Sequence, residues 1–109
     1  MPILGAANAL SSVITASATA TKITDLMDTA GSVTTNGSIA SGANYIRIKN
    51  EDATNGVRVL VGVDPTATAG YLILKGTTEE FKDVSVEDMR LITVAGTPKC
   101  SVILGTNIR

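Results

Sequence analysis

The sequence predicts an all-β protein, a small antiparallel β-sandwich or jelly-roll-like domain that carries a flexible N-terminal arm. Short alternating or β-branched apolar segments recur along the chain, and turns rich in Gly, Pro and Asn separate them. No segment between them has the length and period of a crossover helix, so a parallel sheet is not expected. Aromatic residues make up 3% of the chain and Trp is absent, so the core must consist of Val, Ile, Leu and Ala side chains. Such a thin core suits two sheets packed face to face.

The first half of the chain contains three predicted strands. Residues 13–23 mix Thr, Ile and Ala at a period of two, which predicts the first strand. Residues 45–49 alternate apolar and charged side chains, with Ile46 and Ile48 on one face. Residues 57–63 follow a loop that ends in Asn-Gly, and their pattern places four valines on one face.

The remaining predicted strands are short. Residues 71–75 form an apolar strand, and residues 81–86 form a weaker one. Residues 91–95 and 99–104 are β-branched runs joined by a Gly-Thr-Pro segment, which predicts a hairpin. Pro98 in that segment is explained as the residue that ends the preceding strand.

Helix is disfavoured along the whole chain. The best candidate, residues 23–30, is short and contains Thr and Asp, which are indifferent helix formers. A chain of 109 residues has room for one domain. We expect residues 1–12 to form a flexible arm, either a plain disordered terminus or a segment whose Ile3 and Leu4 order against a neighbouring subunit. Residues 13–109 are then a single β-sandwich domain.

The charge balance excludes one class of partner. The chain has 9 Lys and Arg against 10 Asp and Glu, a net charge of -1. Nucleic-acid binding depends on a surplus of cations that neutralise phosphates, so nucleic acid is not an expected partner. A lightly charged, near-neutral surface lowers the electrostatic barrier to self-association, which favours a homo-oligomer.

Cys100 is the single cysteine and alternates with apolar neighbours, which predicts a buried structural thiol rather than a reactive one. A small domain without a disulfide is expected to fold in a reducing cytoplasm. Residues 1–20 lack the basic start and continuous apolar run of a signal peptide. No segment has the length and hydropathy of a membrane span, so a membrane is not an expected partner.

The composition offers few candidate catalytic residues. The chain contains no His, which excludes a Ser-His-Asp triad and a Cys–His pair and removes the commonest metal ligand. Two carboxylate clusters remain: Glu79, Glu80 and Asp83 form the first, and Glu87 and Asp88 the second. A glycosidase would need such carboxylates paired across a cleft, whereas solvated charges that protect strand edges are the favoured interpretation. The sequence therefore predicts a protein that is not an enzyme, with no catalytic, cofactor or metal site.

Two polar segments have a binding alternative. Asn50, Glu51, Asp52 and Asn55 could surround a calcium ion, but their spacing does not match an EF-hand loop, and Asn, Asp and Gly are first of all turn residues. Asn36-Gly37-Ser38 fits a glycosylation sequon, although a tight Asn-Gly turn is the favoured interpretation.

The few aromatic residues have three alternative roles. Tyr45 and Tyr71 each begin a predicted strand, where they cap the end of the core or rim an interface. Together with Phe81 they are the candidates for the stacking platform that a carbohydrate-binding or adhesin domain would need.

The succession of segments between Val13 and Leu104 resembles the small β-sandwich virion proteins of tailed bacteriophages. The resemblance is carried by the strand Tyr45-Ile46-Arg47-Ile48-Lys49-Asn50 that ends in Asn, and by the later apolar runs. Those runs are Val57-Arg58-Val59-Leu60-Val61-Gly62, Gly70-Tyr71-Leu72-Ile73-Leu74, Phe81-Lys82-Asp83-Val84, Met89-Arg90-Leu91-Ile92-Thr93-Val94-Ala95-Gly96-Thr97 and Ser101-Val102-Ile103-Leu104.

This resemblance implies a structural virion protein that is made in the host bacterial cytoplasm. The most similar members are capsid decoration (cement) proteins, which bind the outer surface of the assembled head and stabilise it by multivalent contacts, often as homotrimers. The expected partner is the major capsid protein of the same phage. Another virion role, as a head fibre base, neck protein or tail accessory protein, is the nearest alternative, and a carbohydrate-binding domain is the next. No site residue is carried over, because the resemblance defines a scaffold.

Overall fold

The computed structural model describes residues 9–29 and 42–106. Within these ranges the chain forms eight β-strands, one α-helix and one short 3₁₀ helix. The strands are β1 (Ala9–Thr15), β2 (Thr21–Lys22), β3 (Tyr45–Asn50), β4 (Val57–Val61), β5 (Tyr71–Ile73), β6 (Thr78–Lys82), β7 (Met89–Thr93) and β8 (Lys99–Gly105). The helices are α1 (Ile23–Thr29) and the 3₁₀ helix Val86–Asp88.

The strands form two antiparallel sheets packed together. Across the described residues, sheet A has four strands in the order β1-β8-β3-β6, and sheet B has four in the order β2-β7-β4-β5. All six strand pairings are antiparallel. The predicted all-β class and the antiparallel sandwich are therefore confirmed.

The strand order is that of a jelly roll. The first four strands pair with the last four in reverse order, so that β1 joins β8, β2 joins β7, β3 joins β6 and β4 joins β5. The chain thus folds as one long double-stranded hairpin that wraps around the core, with residues 62–70 at its tip. Pairings of β3 with β8 and of β4 with β7 close the two sheets, as in other eight-stranded jelly rolls.

The core lies between the sheets and consists of small aliphatic side chains, as the composition predicts. Ile14, Ile46, Ile48 and Leu104 come from sheet A and are fully buried. Sheet B contributes its own apolar side chains to the same cluster, and these are Val57, Val59, Ile73, Met89 and Leu91. Buried residues alternate with more exposed ones along β4 and most of β3 and β8, because successive side chains point to opposite faces of a sheet.

The predicted N-terminal elements are partly wrong. Residues 13–23 do not form one strand, because β1 ends at Thr15 and a bend at residues 16–20 carries the chain into the other sheet. The predicted arm, residues 1–12, overlaps β1: residues 9–12 lie in this strand and pair with β8. Residues 1–8, with Ile3 and Leu4, lie outside the described residues.

The predicted hairpin between the last two strands is also wrong. β7 belongs to sheet B and β8 to sheet A, so the segment that joins them crosses from one sheet to the other. Gly96 in this segment has φ +68°, and an added Cβ would lie 2.5 Å from Asn55 Nδ2. The Gly-Thr-Pro segment does reverse the chain direction, as predicted. A reversal within one sheet and a reversal between two sheets have the same sequence pattern, so the pattern could not distinguish them.

Three smaller differences concern the start of β6, the burial of the valines of β4 and the formation of α1. β6 begins at Thr78, before the predicted residues 81–86. Of the four valines expected on one face of β4, Val57 and Val59 are buried, whereas Val61 and Val63 are exposed. α1 forms at the place where the best helical candidate lies, and its buried Ile23 and Met27 join the core.

None of the described helices is long and apolar enough to cross a membrane.

Candidate docking surfaces

The outer face of sheet A carries a row of positively charged side chains. Lys82 on β6, Arg47 and Lys49 on β3, and Lys99 on β8 are exposed residues of this face. In the register of sheet A, Lys82 lies opposite Tyr45, at the start of β3. Lys99 lies one position beyond the pair Asn50–Cys100, just past the end of β3. The four cations therefore occupy successive steps along the strands, each about 7 Å long. We call these four residues the cationic stripe.

A shallow groove of about 440 Å³ lies within this face. Arg47 and Lys49 line one side of it, together with Thr78, Ser101 and Ile103. Lys49 stands opposite both Thr78 and Ser101 in the register, so a cation lies between two hydroxyl groups. The groove thus offers hydrogen-bond donors and positive charge over an apolar floor.

Two carboxylate residues flank the stripe: Glu51, whose amide donates a hydrogen bond to the Lys99 carbonyl, and Glu80, directly opposite Arg47. Glu80 makes side-chain contacts with residues of this face. It accepts a hydrogen bond of 2.5 Å from the Tyr45 hydroxyl and lies 3.6 Å from Lys82 Nζ. The hydrogen bond from Tyr45 is the main cause that lowers the pKa of the Glu80 carboxyl, while burial and the same bond raise the pKa of Tyr45. Among the described residues, no carboxylate lies within ion-pair distance of Arg47, Lys49 or Lys99. Most of the positive charge on this face is therefore available to a partner.

Negative charge concentrates elsewhere in the molecule. The stripe holds four of the nine Lys and Arg residues, beside two of the ten Asp and Glu residues, Glu51 and Glu80. Asp83, Glu87 and Asp88 are exposed and lie within one six-residue segment between β6 and β7. Hydrogen bonds from Val84 and Val86 hold this segment against Asn44 and Ala43, at the start of β3. We call the three carboxylates the acidic end.

The stripe leads away from the acidic end. Lys82 is next to Asp83, whereas Lys99 is close to the last residue of β3, at the opposite end of the sandwich. The stripe and the acidic end therefore occupy different parts of the surface, although the net charge of the chain is only -1.

The outer face of sheet B is half covered by the chain itself. Arg58 donates hydrogen bonds to the carbonyl oxygens of Ala67, at 3.1 Å, and Gly70, at 2.9 Å. Arg90 Nη1 lies 2.8 Å from Asp64 Oδ1 of the loop 62–70. Pro65 of this loop is fully buried. Residues 62–70 are thus fastened over one half of this face.

The uncovered half of sheet B is apolar. Leu72, Leu74 and Val94 are exposed by 37%, 57% and 41% of their surface. They surround Gly56, whose carbonyl accepts a hydrogen bond from the Val94 amide, and an added Cβ on Gly56 would lie 3.0 Å from Leu72 Cδ1. We call the three exposed side chains the apolar patch. Exposed apolar side chains that adjoin one another are typical of contact surfaces.

The predicted carboxylate clusters are not brought together into one site. Glu79 and Glu80 are consecutive in β6 and therefore point to opposite faces of sheet A. Glu79 accepts a hydrogen bond of 2.7 Å from Tyr71, and Glu80 accepts one from Tyr45. In the described part of the chain, no group of three or more acidic or Cys side chains is placed to hold a metal ion.

The candidate calcium ligands form a turn in which backbone amides occupy their oxygens. Asn50 Oδ1 accepts a hydrogen bond from the Asp52 amide, and Asp52 Oδ2 accepts from the amides of Thr54 and Asn55. Asn50 is fully buried, and its Nδ2 donates to the carbonyl oxygens of Asn55 and Ile73. The structure therefore favours the turn interpretation. The Asn36 sequon lies outside the described residues.

The aromatic residues do not form one platform. Tyr45 is buried at the start of β3, whereas Tyr71 is 52% exposed at the start of β5. Tyr71 contacts the half-buried Phe81 edge to face, with ring centroids 5.6 Å apart. The hydrogen bond to Glu79 is the main cause that raises the pKa of Tyr71. Tyr71 and its two partners thus close one side of the sandwich, between the edge strands β5 and β6.

The prediction of a buried structural thiol is confirmed, and it has a measurable consequence. Cys100 has no exposed surface, and burial, with smaller contributions from Glu51 and Asp52, raises its pKa to about 12. We expect a thiol reagent to leave the folded protein unmodified near neutral pH and to react quickly once urea unfolds the chain. The stability contributed by the neutral thiol is complete below about pH 8.5, the ordinary thiol pKa, and declines as the pH rises towards 12. Fast labelling of the folded protein would contradict this assignment.

Sequence reasoning did not find the stripe or the patch. The alternation in residues 45–49 does place Arg47 and Lys49 away from the core. Lys82 and Lys99 join them only through the pairing of β3 with β6 and β8. Leu74 and Val94 meet only because both lie beside Gly56.

No protein-family model, curated protein or solved structure matches this chain.

Proposed function

We propose that this chain is a capsid decoration (cement) protein of a tailed bacteriophage, which binds the outer surface of the assembled head and stabilises it through many weak contacts. The observation that carries the proposal is that the two outer faces of the sandwich present different exposed surfaces: the cationic stripe on sheet A and the apolar patch on sheet B. A protein with two such surfaces can contact two partners at once. Joining neighbouring subunits is what stabilising a shell requires.

The fold is compatible with this role. Jelly rolls occur among viral capsid domains, and they occur among lectin domains too. Because one fold hosts many functions, the jelly roll agrees equally with a decoration protein and with a carbohydrate-binding protein, and it does not distinguish the two. The resemblance of residues 13–104 to phage virion proteins favours the first.

The apolar patch is the surface that we assign to the major capsid protein. Leu72, Leu74 and Val94 flank Gly56, which has no side chain to separate them, whereas the loop of residues 62–70 covers the rest of the face. Interfaces concentrate their binding energy in a few apolar side chains that lose all contact with water. Leu74 is the most exposed of the three and is therefore the best site for a test.

We expect Leu74→Asp to weaken binding to heads by more than about tenfold, because the substitution places a charge in a contact that excludes water. The measurement is co-sedimentation of purified protein with DNA-filled heads and expanded shells of the phage that encodes it. Val63→Asp is the matched control, since Val63 is 56% exposed but lies in the loop outside the patch. Equal losses in both variants would contradict the assignment of the patch.

The position in the virion separates this proposal from its neighbours. Immunogold labelling should place the protein on heads. Label on tails or necks alone would end the decoration proposal and favour a tail accessory or neck protein. A carbohydrate-binding role is less well supported, because Tyr71 is a single exposed ring whose hydroxyl already bonds to Glu79. Reproducible glycan binding that Tyr71→Ala weakens would favour that role instead.

A further inference from the structure

We propose that the cationic stripe is a contact between copies of this chain, and that its occupant is the acidic end of a neighbouring copy. The inference concerns self-association alone and does not depend on the proposed role on a phage head. It rests on the placement of charge in the folded chain, which brings four cations from three strands onto one face.

The stripe has the composition of an unsatisfied surface. Arg47, Lys49 and Lys99 are exposed and, within residues 9–29 and 42–106, have no carboxylate at ion-pair distance. The hydroxyl groups of Thr78 and Ser101 border the same groove and can donate to a carboxylate. A surface of this kind is complementary to a segment that presents several carboxylates close together.

The acidic end supplies such a segment. Asp83, Glu87 and Asp88 are exposed, and none of them forms an ion pair with a described Lys or Arg residue. Outside the stripe, Glu51 and Glu80, the chain holds eight carboxylates against five Lys and Arg residues, so a second copy is itself an acidic partner. The charge complementarity therefore lies within one sequence.

The geometry favours contact between molecules and excludes contact within one molecule. The stripe extends about 20 Å along the strands and leads away from the acidic end of its own chain. Only Lys82 is adjacent to Asp83, and Lys82 is already paired with Glu80 at 3.6 Å. Because the stripe and the acidic end are different surfaces of one chain, two copies can make both contacts reciprocally across a two-fold axis, or successive copies can form a ring or a chain.

The first experiment measures the mass of the purified full-length protein by light scattering and sedimentation, over a wide concentration range and at low and high salt. We expect an oligomer at low salt that dissociates toward monomer at about 0.5 M salt, where charges are screened beyond a few ångströms. A mass that stays at one monomer under all these conditions would overturn the inference.

Charge-reversal variants test which surfaces are in contact. Arg47→Glu/Lys49→Glu and Glu87→Lys/Asp88→Lys should each weaken self-association by about tenfold or more, because each places like charges against each other. The chain that carries all four substitutions should regain it, since the stripe is then acidic and the end basic. An equimolar mixture of the two double variants should also associate. Failure of both the four-substitution chain and the mixture to associate would overturn the assignment of the two surfaces.

Matched controls separate this contact from unfolding and from net charge. Lys49→Glu and Lys75→Glu alter the net charge equally at two exposed positions, and only the first lies in the stripe. We expect the first alone to weaken association at low salt, with both variants unfolding in urea like the parent chain at about 0.5 M salt, where all three are monomeric. Equal weakening by both would mean that net charge, and not the stripe, governs association. Head binding is measured separately, so each proposal can fail without the other.

Discussion

Ile46→Ala should lower the free energy of unfolding by about 2–5 kcal/mol, the range found when a buried Ile loses most of its side chain and leaves a cavity. Ile46 has no exposed surface and stands between Leu104 of β8 and Phe81 of β6 in the register of sheet A. Both cross-strand neighbours are apolar, so the substitution removes contacts on two sides at once.

Urea unfolding followed by circular dichroism at about 0.5 M salt, where charge contacts between copies are screened, measures this effect. Ile46→Val should cost about 0.5–1.5 kcal/mol, because it removes a single methylene group. Arg47→Ala, one residue further along the same strand, alters an exposed side chain and should remain within about 0.5 kcal/mol of the parent. A loss for Ile46→Ala no larger than that for Arg47→Ala would place Ile46 outside the core.

Asn50→Ala should have the second largest effect, about 2–3 kcal/mol, because it leaves buried polar groups without partners. The Asn50 side chain donates to the carbonyl of Asn55 at 2.9 Å and to that of Ile73 at 3.3 Å, and it accepts from the amide of Asp52 at 3.0 Å. Ile73 belongs to sheet B, so one side chain at the end of sheet A fastens the two sheets together.

The matched control is Lys49→Ala, the outward-facing neighbour of Asn50 on β3. We expect this control to unfold at nearly the same urea concentration as the parent, with the midpoint of Asn50→Ala clearly lower. Adding calcium ions should leave the midpoint of the parent chain unaltered if Asn50 acts as a structural hydrogen-bonding group. Stabilisation by calcium that disappears in Asn50→Ala would revive the metal interpretation.

The strands were predictable where the local pattern was strong. β3 alternates apolar and polar side chains, and β4 is a β-branched run with Arg58 at an outward position. Both patterns fit the two-residue period of a strand and not the 3.6-residue period of a helix. The first strand was misplaced because Thr, Ser, Ala and Ile continue past Thr15, while the bend that follows depends on pairing with β8 in one sheet and with β7 in the other. Local propensity does not contain that information.

The candidate surfaces were the least predictable feature. The sequence assigned Arg47 and Lys49 to a solvent-facing side, because they alternate with buried isoleucines. Lys82 and Lys99 lie 33 and 50 residues beyond Lys49, and no local signal relates them to it. The same holds for Leu74 and Val94, which become neighbours because β4 lies between β5 and β7.

Sequence pattern and composition are enough to predict the class of this protein: an all-β domain with a core of aliphatic side chains and a buried thiol, in a chain without histidine. These properties follow from composition and from the period of two, which any short stretch of chain displays. The pairing of the strands, the loop that crosses between the sheets and the charges that share a face become visible only in the folded chain. Such features depend on register between segments far apart in the chain, and a shift of one residue would turn every outward side chain inward.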